Sequence, residues 1–483
     1  MAPAAWMEVA LALPLTGAVM TLMLGRRAAP VVGLLAGLAG AAASIGLAVA
    51  VSKHGPFRYL VGGWGAPLGI DLHVDGLAAA MLAMTGVVGA CISVYAAGYF
   101  AQERAAAAGI RDGSWLFWPL WLALWGGMNA LYLSGDLFNI YVTQELIGIS
   151  AVGLIVLAGG HAVAAGLRYL LLALAGSLLY ILGVELLYAQ YSTLDLQQLH
   201  ERIDARPSTW AAAALMTAGL MVKCALFPLH SWLPPAHGHA PAPVSAALSA
   251  LVVKAAFYLL VRLWLHVFSG LGAEHVLTLL GMLGAAAVLW GGVLALQQER
   301  LKMMVAYSTV AQVGYLFMLF PLASMPGALP GTLLLLISHA TAKASLFMCA
   351  GSVLMVYGHD RIRAIEGFGS RMPLTAAAFA LSSISLIGLP PSGGFTGKWM
   401  LVSAALAGGA WPWAVIMVLG GLLSAAYLFR VLSQAFVEPS TADIERRASR
   451  SMELPSFFLA VTAIALSFAA APLEGLLLAG GPR

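Results

Sequence analysis

Four lysines stand inside stretches of sequence that are otherwise apolar and long enough to cross a bilayer. They are Lys223, Lys254, Lys343 and Lys398, and the chain has only six lysines in all. A charged side chain near the bilayer centre costs about 3 kcal/mol or more, so such residues usually mark an ion pathway. A buried lysine can release its proton at physiological pH, whereas an arginine cannot. The four lysines therefore predict proton transfer within the membrane.

An acidic counterpart to these lysines lies in the segment SGDLFNIYVTQELIGISAVGL. Glu145 stands in the interior of this predicted span, where a carboxylate requires a cationic partner, and a buried lysine is the obvious one. A purely structural carboxylate is the alternative. Asp136 stands at the mouth of the span beside Ser134 and Gly135, which favours a helix N-cap. An accessory role for Asp136 on the proton path is the alternative.

Histidines accompany the lysines at two places. In LLLISHATAKASLF, His339 and Lys343 are four residues apart and share one helix face. Because histidine titrates near neutral pH, this pair predicts a proton relay, with hydrogen-bonded packing as the alternative. His230, His237 and His239 stand in a Pro/His-rich link and predict hydrogen bonding at a pore mouth, with His230 and His237 as accessory residues. A metal site there is a weaker alternative, since no acidic ligand accompanies them.

Two of the apolar spans are interrupted by proline. Pro228 ends the span that carries Lys223, and Pro390 and Pro391 interrupt the span that carries Lys398. A broken helix persists within a membrane only against protein or water. A corresponding pair of broken spans is typical of transporters built from inverted repeats. The string GGFTGKW lacks the preceding strand and the spacing of a phosphate-binding loop.

Composition indicates the fold class. The chain of 483 residues is 61% hydrophobic and 9% charged, whereas a soluble chain carries roughly 25% charge. Windows of about 20 apolar residues predict about fourteen membrane-spanning helices. The spans are expected at 5–24, 30–52, 74–100, 115–133, 137–159, 164–190, 208–228, 244–266, 275–297, 303–323, 329–357, 374–389 with a continuation to 408, 411–436 and 454–480. The expected fold is an all-α polytopic membrane protein, with two inverted five-helix repeats and broken helices in spans 7 and 12.

The loops are short, so residues 1–483 are expected to form a single membrane domain. Its predicted parts are residues 1–105 with spans 1–3, residues 115–268 with spans 4–8 as repeat one, residues 274–437 with spans 9–13 as repeat two, and residues 453–483 with span 14. The basic residues Arg26 and Arg27 follow the first apolar run rather than precede it, so this run is expected to stay as a span.

Two further features exclude other functions. The net charge of +4 is spread over many loops and indicates no nucleic-acid partner. Cys91, Cys224 and Cys349 lie far apart inside apolar spans. That spacing indicates neither a disulfide framework nor a zinc or iron–sulfur site.

Loop charges predict the orientation, because Lys and Arg concentrate on the inner side of a membrane. With the N-terminus outside, the inner loops hold thirteen basic residues: Arg26, Arg27, Arg104, Arg111, Arg168, Arg300, Lys302, Arg361, Arg363, Arg371, Arg446, Arg447 and Arg450. The outer side holds five: Lys53, Arg58, Arg202, Arg206 and Arg483. Both termini are therefore predicted outside. Arg262 and Arg430 stand near span ends and are expected to anchor there by reaching toward the headgroups.

Five strings in order resemble one family: GDLFNIYVTQELIGISAVGL, MVKCALFPLHSWLPPAHGHAPAPVSAALSALVVKAAFYLLVR, LKMMVAYSTVAQVGYL, HATAKASLF and GLPPSGGFTGKW. They are similar to the proton-translocating antiporter-like subunits shared by respiratory complex I, membrane-bound hydrogenases and Mrp-type cation/proton antiporters. The resemblance runs from about span 3 to span 13. Chain length and the lysine-bearing motifs look most similar to the D subunits of Mrp antiporters. Pro235 stands where complex I relatives commonly carry an acid, which favours the antiporter branch.

This resemblance implies site residues as well as a fold. It implies fourteen helices with a polar axis through the middle of the membrane. Along that axis it implies Glu145 and Lys223 as an ion pair, Lys254 as a relay, His339 and Lys343 as the link between the halves, and Lys398 as the terminal site. It also implies work within a hetero-oligomer of membrane subunits.

The sequence thus predicts a secondary transporter subunit in a bacterial inner membrane, not an enzyme. Its expected partners are other membrane subunits, the lipid bilayer, protons and Na⁺ or K⁺. No catalytic residue, cofactor or metal is indicated. Two alternatives remain: a proton pump in a complex I-like or hydrogenase redox complex, and a non-conducting scaffold, for instance of a CO₂-uptake complex. Four lysines inside the spans argue against an inert scaffold.

Overall fold

The computed structural model describes residues 3–67, 69–106, 113–438 and 447–478. Most of these residues form helices, and a two-stranded hairpin accompanies them. Within the described ranges, ten helices are long and apolar enough to span a bilayer. The predicted all-α polytopic membrane fold is therefore confirmed.

The helices keep the order of the predicted spans. They are α1 Pro3–His54, α2 Gly76–Ala106, α3 Phe117–Leu133, α4 Leu137–Val156, α5 His161–Tyr191, α6 Leu196–Arg202, α7 Pro207–Lys223, α8 Leu233–His239, α9 Ala242–Ala247, α10 Val253–Arg262, α11 Glu274–Gln297, α12 Leu301–Leu316, α13 Ala328–Tyr357, α14 Phe368–Arg371, α15 Pro373–Ile387, α16 Gly393–Ala407, α17 Trp411–Ala435, α18 Arg450–Ala465 and α19 Ala470–Leu478. Spans 1 and 2 both lie in α1, which kinks at Gly25 because that residue has a φ of 71°.

The break predicted in span 7 is confirmed, because α7 ends at Lys223. The chain leaves this helix through Ala225, whose φ of 53° is uncommon for a residue with a side chain. The Trp232 indole donates to the Val222 carbonyl at 2.8 Å and so satisfies one of the last carbonyls of α7. The half-helix α8 follows, and α9 then leads through a π-helical turn, Leu248–Val252, into α10.

The break predicted in span 12 is also confirmed, since α15 ends at Ile387 and α16 begins at Gly393. Gly388 closes α15 with a φ of 89°, which glycine adopts without steric cost. Ser392 caps α16, because its hydroxyl accepts a hydrogen bond from the Phe395 N–H at 3.1 Å. The string GGFTGKW therefore forms the first turns of a helix. The division into two repeats stays a prediction.

The centre of the molecule consists of α9, α10, α12 and α13, whose residues are almost all buried. The long helix α13 packs against α9, α12, α15, α16 and α18. Outer helices such as α17 instead expose large apolar side chains, including Leu422 and Phe429. Protein therefore surrounds the central helices on every side, and their lysines do not face lipid.

A β-hairpin lies in a stretch predicted only as a loop. Strand β1 (Phe57–Leu60) pairs antiparallel with β2 (Asp71–Val74). The string FRYL has the aromatic residues that strands favour, so the sequence does carry a signal for β1. Leu72 bridges to Ser134, so the hairpin is joined to the segment between α3 and α4.

Two basic residues differ from the prediction. Lys302, counted as an inner-loop cation, lies in the first turn of α12 and is 2% exposed. Arg262, expected to reach toward the headgroups, forms an ion pair with Asp75 instead. Each side chain finds an acceptor on a neighbouring element, which loop counting cannot detect. Arg111, Arg446 and Arg483 lie outside the described residues, as do the first two and last five residues of the chain.

Candidate functional site

Glu145 and Lys223 meet across two helices. Glu145 lies on α4, and Lys223 is the last residue of α7. The Lys223 ammonium is 3.4 Å from the Glu145 Oε1 atom, and the side chains are 13% and 23% exposed for Lys223 and Glu145 respectively. Ser177 on α5, which packs against both helices, donates to the same carboxylate oxygen. Because Lys223 stands where α7 breaks, a movement of this helix end changes the separation of the pair.

Lys254 lies on α10, just after the π-helical turn, and is fully buried. Its ammonium donates to the Ser249 carbonyl within that turn. Single π-helical turns of this kind occur frequently at functional sites. Within the part of the chain that the structure describes, no salt bridge pairs Lys254 with a carboxylate. A buried ammonium without an anion is costly, so this position suits a proton carrier better than a fixed charge.

Lys343 and His339 lie one turn apart on α13, and both are buried. The Lys343 ammonium donates to the Val305 carbonyl at 3.0 Å and to the Ser308 hydroxyl, both on α12. Neither ring nitrogen of His339 has a hydrogen-bond partner among the described residues. A buried imidazole without partners is costly unless water occupies its neighbourhood. A proton relay through His339 therefore needs water to complete its hydrogen-bonded chain, and the relay stays a prediction.

His237 lies on α8, fully buried, with its ring stacked on Phe347 at 4.7 Å. Its two ring nitrogens also lack partners in the described ranges. His230 stacks on Phe227 at 5.7 Å, and His239 lies near His161 at the same ring separation of 5.7 Å. Across the residues that the structure describes, no three His, Cys, Asp or Glu side chains converge to hold a metal ion.

Lys398 lies on α16 and reaches back across the break in span 12. Its ammonium donates to the carbonyls of Leu386 and Ile387, at 2.7 and 3.2 Å. It also lies 4.2 Å from the centre of the Tyr315 ring. The last carbonyls of a helix carry its negative dipole end, so α15 offers this ammonium a partial countercharge.

The central basic residues are close enough to influence one another. The charge of Lys254 acts on His237, His339 and Lys343. His339 also lies within the field of Lys398. The fold therefore places the predicted residues of α8, α10, α13 and α16 in one connected group.

A small cavity lies beside Lys223 and reaches the segment that carries Lys254. Its volume is about 30 Å³, and it is lined by Gln144, Lys223 and Ala255, among others. Ala255 is the neighbour of Lys254 in the chain. The amide oxygen and nitrogen of Gln144 are buried, and no described residue bonds to them. A cavity of this size, lined by the Gln144 amide and Lys223 among apolar residues, can hold a water molecule.

Sequence reasoning missed two residues of this region. Gln144 is a polar residue directly before Glu145 in an apolar span, and this was a usable signal. Lys302 donates from its ammonium to the Ala240 carbonyl, and its charge acts on His237. The Asp360 carboxylate accepts from the Lys302 N–H at 3.3 Å and from the Arg300 guanidinium at 2.9 Å. Lys302 therefore lies between the polar surface at Arg300 and the buried His237.

Asp136 lies apart from the lysines as a helix cap. Its carboxylate accepts from the Asn139 N–H at 2.8 Å, which is the N-cap geometry of α4. Asp136 is therefore the helix N-cap that its neighbours Ser134 and Gly135 predict. The accessory role of Asp136 in proton transfer stays a prediction.

Comparisons with known proteins connect this arrangement to a family. The sequence profile described as "NADH:quinone oxidoreductase/Mrp antiporter, TM" matches residues 134–425. The N subunit of the NADH-quinone oxidoreductase of Desulforudis audaxviator is 38% identical over 402 residues, which cover 82% of this chain and 79% of the relative. The D subunit of the Na(+)/H(+) antiporter of Alkalihalophilus pseudofirmus is 30% identical over 437 residues, with coverages of 89% and 86%.

Two solved assemblies contain similar chains. A chain of the Mrp complex from Dietzia sp. superposes with a TM-score of 0.89 and 25% identity, over 99% of this chain and 97% of that one. A chain of the membrane-bound sulfane sulfur reductase, an archaeal respiratory membrane complex, superposes with a TM-score of 0.87 and 27% identity, over 98% and 96%. Both similar chains come from membrane complexes.

Proposed function

Because the chain belongs to the NADH:quinone oxidoreductase/Mrp antiporter family of transmembrane subunits, we propose that it is the proton-translocating subunit of a multisubunit antiporter exchanging Na⁺ or K⁺ for protons. The observation that carries this proposal is a connected group of buried basic residues, together with an ion pair on the neighbouring helices α4 and α7. The similarity to D subunits named as Na(+)/H(+) antiporters supports the antiport assignment.

Protons move along Glu145, Lys223, Lys254, Lys343 and Lys398 in this mechanism, with His339 linking the two broken helices. When the Glu145–Lys223 pair is closed, the carboxylate stabilises the Lys223 ammonium. When it opens, the ammonium loses its countercharge, at a cost of several kcal/mol for a buried charge. Moving one charge across 100 mV is worth about 2.3 kcal/mol, so opening the pair is large enough to drive the transfer.

The membrane and the orientation are part of the same proposal. The apolar helices make the chain a multi-pass membrane protein. We assign it to the bacterial inner membrane, with both termini outside as the loop charges predict, and with other membrane subunits packed on its exposed apolar helices. Ions cross the protein through its polar centre, while lipid covers the remaining outer faces.

A second function has a specific observation in its favour. The N subunit of an NADH-quinone oxidoreductase is 38% identical to this chain, a higher identity than that of the D subunits. In this case the same group of lysines moves protons, but a redox partner drives the movement. The subunits that purify with the chain separate the two functions: iron–sulfur proteins favour the redox complex, and small hydrophobic proteins alone favour the antiporter.

The decisive experiment measures Na⁺- or K⁺-induced relaxation of a pH gradient in vesicles that contain the intact complex. The wild type is compared with Glu145→Ala and Lys223→Ala. A cation-dependent signal that both variants lose is the expected result. Wild-type rates in Lys223→Ala contradict the proposed path. No cation response, together with proton pumping on addition of an electron donor, contradicts the antiporter and supports the redox complex.

A further inference from the structure

A second polar region lies at the end of the molecule where β1 and β2 pair. It is a cavity of about 570 Å³, separate from the one at Lys223. Its charged and titratable lining residues are Arg58, Asp71, His73, Asp75, Asp195, Tyr258, Arg262, His200 and His266. The loop between α1 and β2 belongs to the side predicted to face outward. No step of the proposed proton path uses this cavity.

Two of the three aspartates in this cavity lack a cationic partner within the described part of the chain. Asp75 is held by the Arg262 guanidinium. Asp71 and Asp195 are each 6% exposed and form no salt bridge with any described residue. The Oδ1 atom of Asp71 is buried and accepts no hydrogen bond from these residues either. An unpaired buried carboxylate oxygen beside a cavity needs a partner that the described residues do not supply, and a water molecule, a proton or a cation can fill this role.

One residue, Gly135, joins the segments that carry Asp71 and Asp195. The Gly135 N–H donates to the Asp71 carbonyl at 2.9 Å, and the Gly135 carbonyl accepts from the Leu196 N–H at 2.9 Å. Asp71 and Asp195 therefore lie on the two sides of Gly135, as on strands next to a shared central one. A Cβ atom on Gly135 would lie 3.0 Å from the Asp71 carbonyl oxygen, so only glycine fits this close approach comfortably.

The charges around the two carboxylates determine what ligand they take. Burial and the charge of Asp195 raise the pKa of the Asp71 carboxyl, and the charge of Arg58 opposes this rise. Among the residues that line the cavity, these two carboxylates and the Arg58 guanidinium leave a net charge of about −1, which one proton or one monovalent cation neutralises. Oxygen ligands of this kind are the ones that hard cations prefer. The remaining titratable groups of the lining are the Asp75–Arg262 pair, Tyr258 and the imidazoles of His73, His200 and His266. The Asp136 carboxylate lies outside the lining, where the Asn139 N–H at the start of α4 donates to it.

We propose that Asp71 and Asp195 form a site that binds one monovalent alkali cation in exchange for a proton. In the cation-free state one proton on either carboxyl group takes the place of the cation. Cation binding releases that proton to the cavity, so one positive charge replaces another and the net charge of the site does not change. The exchange function of this site rests on the antiporter proposed above, but its binding chemistry does not. The site gives this subunit its own contact with the exchanged cation.

The test measures equilibrium binding of radioactive sodium to the purified intact complex at pH 8. Asp71→Asn and Asp195→Asn are compared with the wild type, and Asp204→Asn is the control. Asp204 is an exposed aspartate paired with Arg206, outside the cavity. Asn at 195 can still cap α6, and the Oδ1 atom of Asp71 bonds to no described residue, so both variants keep the fold.

The wild type is expected to bind one more sodium ion per complex than either cavity variant, and the control is expected to match the wild type. The apparent Kd of this site rises about tenfold for each pH unit below the pKa of the pair, because one proton competes with one cation. Unchanged sodium binding in Asp71→Asn and Asp195→Asn overturns the site. Displacement of sodium by an equal concentration of Ca²⁺ overturns the assignment to monovalent cations.

The measurements distinguish an error in the proposed cation site from an error in the proposed antiporter function. Glu145→Ala is expected to lose transport and keep sodium binding at Asp71 and Asp195. A complex that binds sodium there but shows no antiport refutes the antiporter and leaves the site standing. If both cavity variants show full antiport and bind as much sodium as the wild type, the proposed site is wrong and the antiporter proposal is unaffected.

Discussion

Arg262 at the end of α10 binds Asp75 at the start of α2 with both terminal nitrogens of its guanidinium. The same arginine donates to the Tyr258 hydroxyl at 3.0 Å. Although burial alone raises the pKa of the Asp75 carboxyl, the Arg262 guanidinium holds that pKa at about 2. The pair therefore stays ionised at every working pH and ties the fully buried central helix to the N-terminal part of the chain.

Arg262→Gln is expected to destabilise the protein by about 3–5 kcal/mol, because it leaves the Asp75 carboxylate buried without its partner. The double variant with Asp75→Asn removes both charges and should recover part of this loss. The measurement is the temperature at which the purified complex unfolds. Losses that simply add in the double variant contradict a direct pairing contribution.

The sequence predicts the spans and both helix breaks because these depend on local signals. Runs of apolar residues, together with Pro228, Pro390 and Pro391, determine them without reference to the rest of the chain. The pairing of Arg262 with Asp75 joins residues that are far apart in sequence, and span-end position alone suggests an anchor. The prediction for Lys302 is wrong for the same reason, since its acceptor, the Ala240 carbonyl, belongs to another part of the chain.

The candidate site is predictable to a similar extent. Charged residues inside apolar spans identify Glu145 and the four lysines from the sequence alone. Gln144 carries only the weaker signal of a neutral amide in an apolar span, and its importance depends on a cavity that only packing creates. The cavity at Asp71 is missed because its hairpin and its link through Gly135 are tertiary features.

Close packing between α5 and α7 supports the Glu145–Lys223 pair. A Cβ atom on Gly219 would lie 2.3 Å from the Gly176 carbonyl oxygen, so Gly219→Ala must push the two helices apart. Overpacking of this kind costs about 1–3 kcal/mol. The neighbouring Ser177, which donates to Glu145, should move with Gly176, so antiport in vesicles is expected to fall as well.

Gly475→Ala is the matched control, because no described atom lies within 4 Å of a Cβ built at Gly475. Its unfolding temperature and its transport rate should equal those of the wild type. Equal behaviour of Gly219→Ala and Gly475→Ala contradicts the close-packing argument.

The buried His73 in β2 is expected to make the protein less stable in acid. Burial lowers the pKa of this imidazole to about 4, while an exposed histidine titrates near 6.5. The unfolded state therefore binds the proton more readily, so the contribution of neutral His73 is complete above pH 6.5 and is lost as the pH falls toward 4. His73→Gln should show a smaller fall in unfolding temperature between about pH 6.5 and 4.5 than the wild type. Parallel curves for the two proteins contradict this role of His73.

Gln144 should control the proton step between Lys223 and Lys254. Gln144→Leu keeps the volume of the side chain but removes the amide groups that face the cavity of about 30 Å³. A water there loses a hydrogen-bond partner worth about 0.5–1.5 kcal/mol, so the transport rate should fall roughly two- to tenfold. The measurement is cation-induced relaxation of a pH gradient in vesicles, at equal amounts of assembled complex.

Thr143→Val is the matched control for this prediction. Thr143 is the neighbouring buried polar residue on α4, and its hydroxyl bonds within its own helix, to the Ile140 carbonyl at 2.8 Å. Its replacement should leave the rate unchanged. Restoration of the rate in Gln144→Glu, whose carboxylate again offers oxygen acceptors to the water, would separate the hydrogen-bonding role from packing. If Gln144→Leu transports at the wild-type rate, protons pass from Lys223 to Lys254 without this water, and the cavity is only a packing defect.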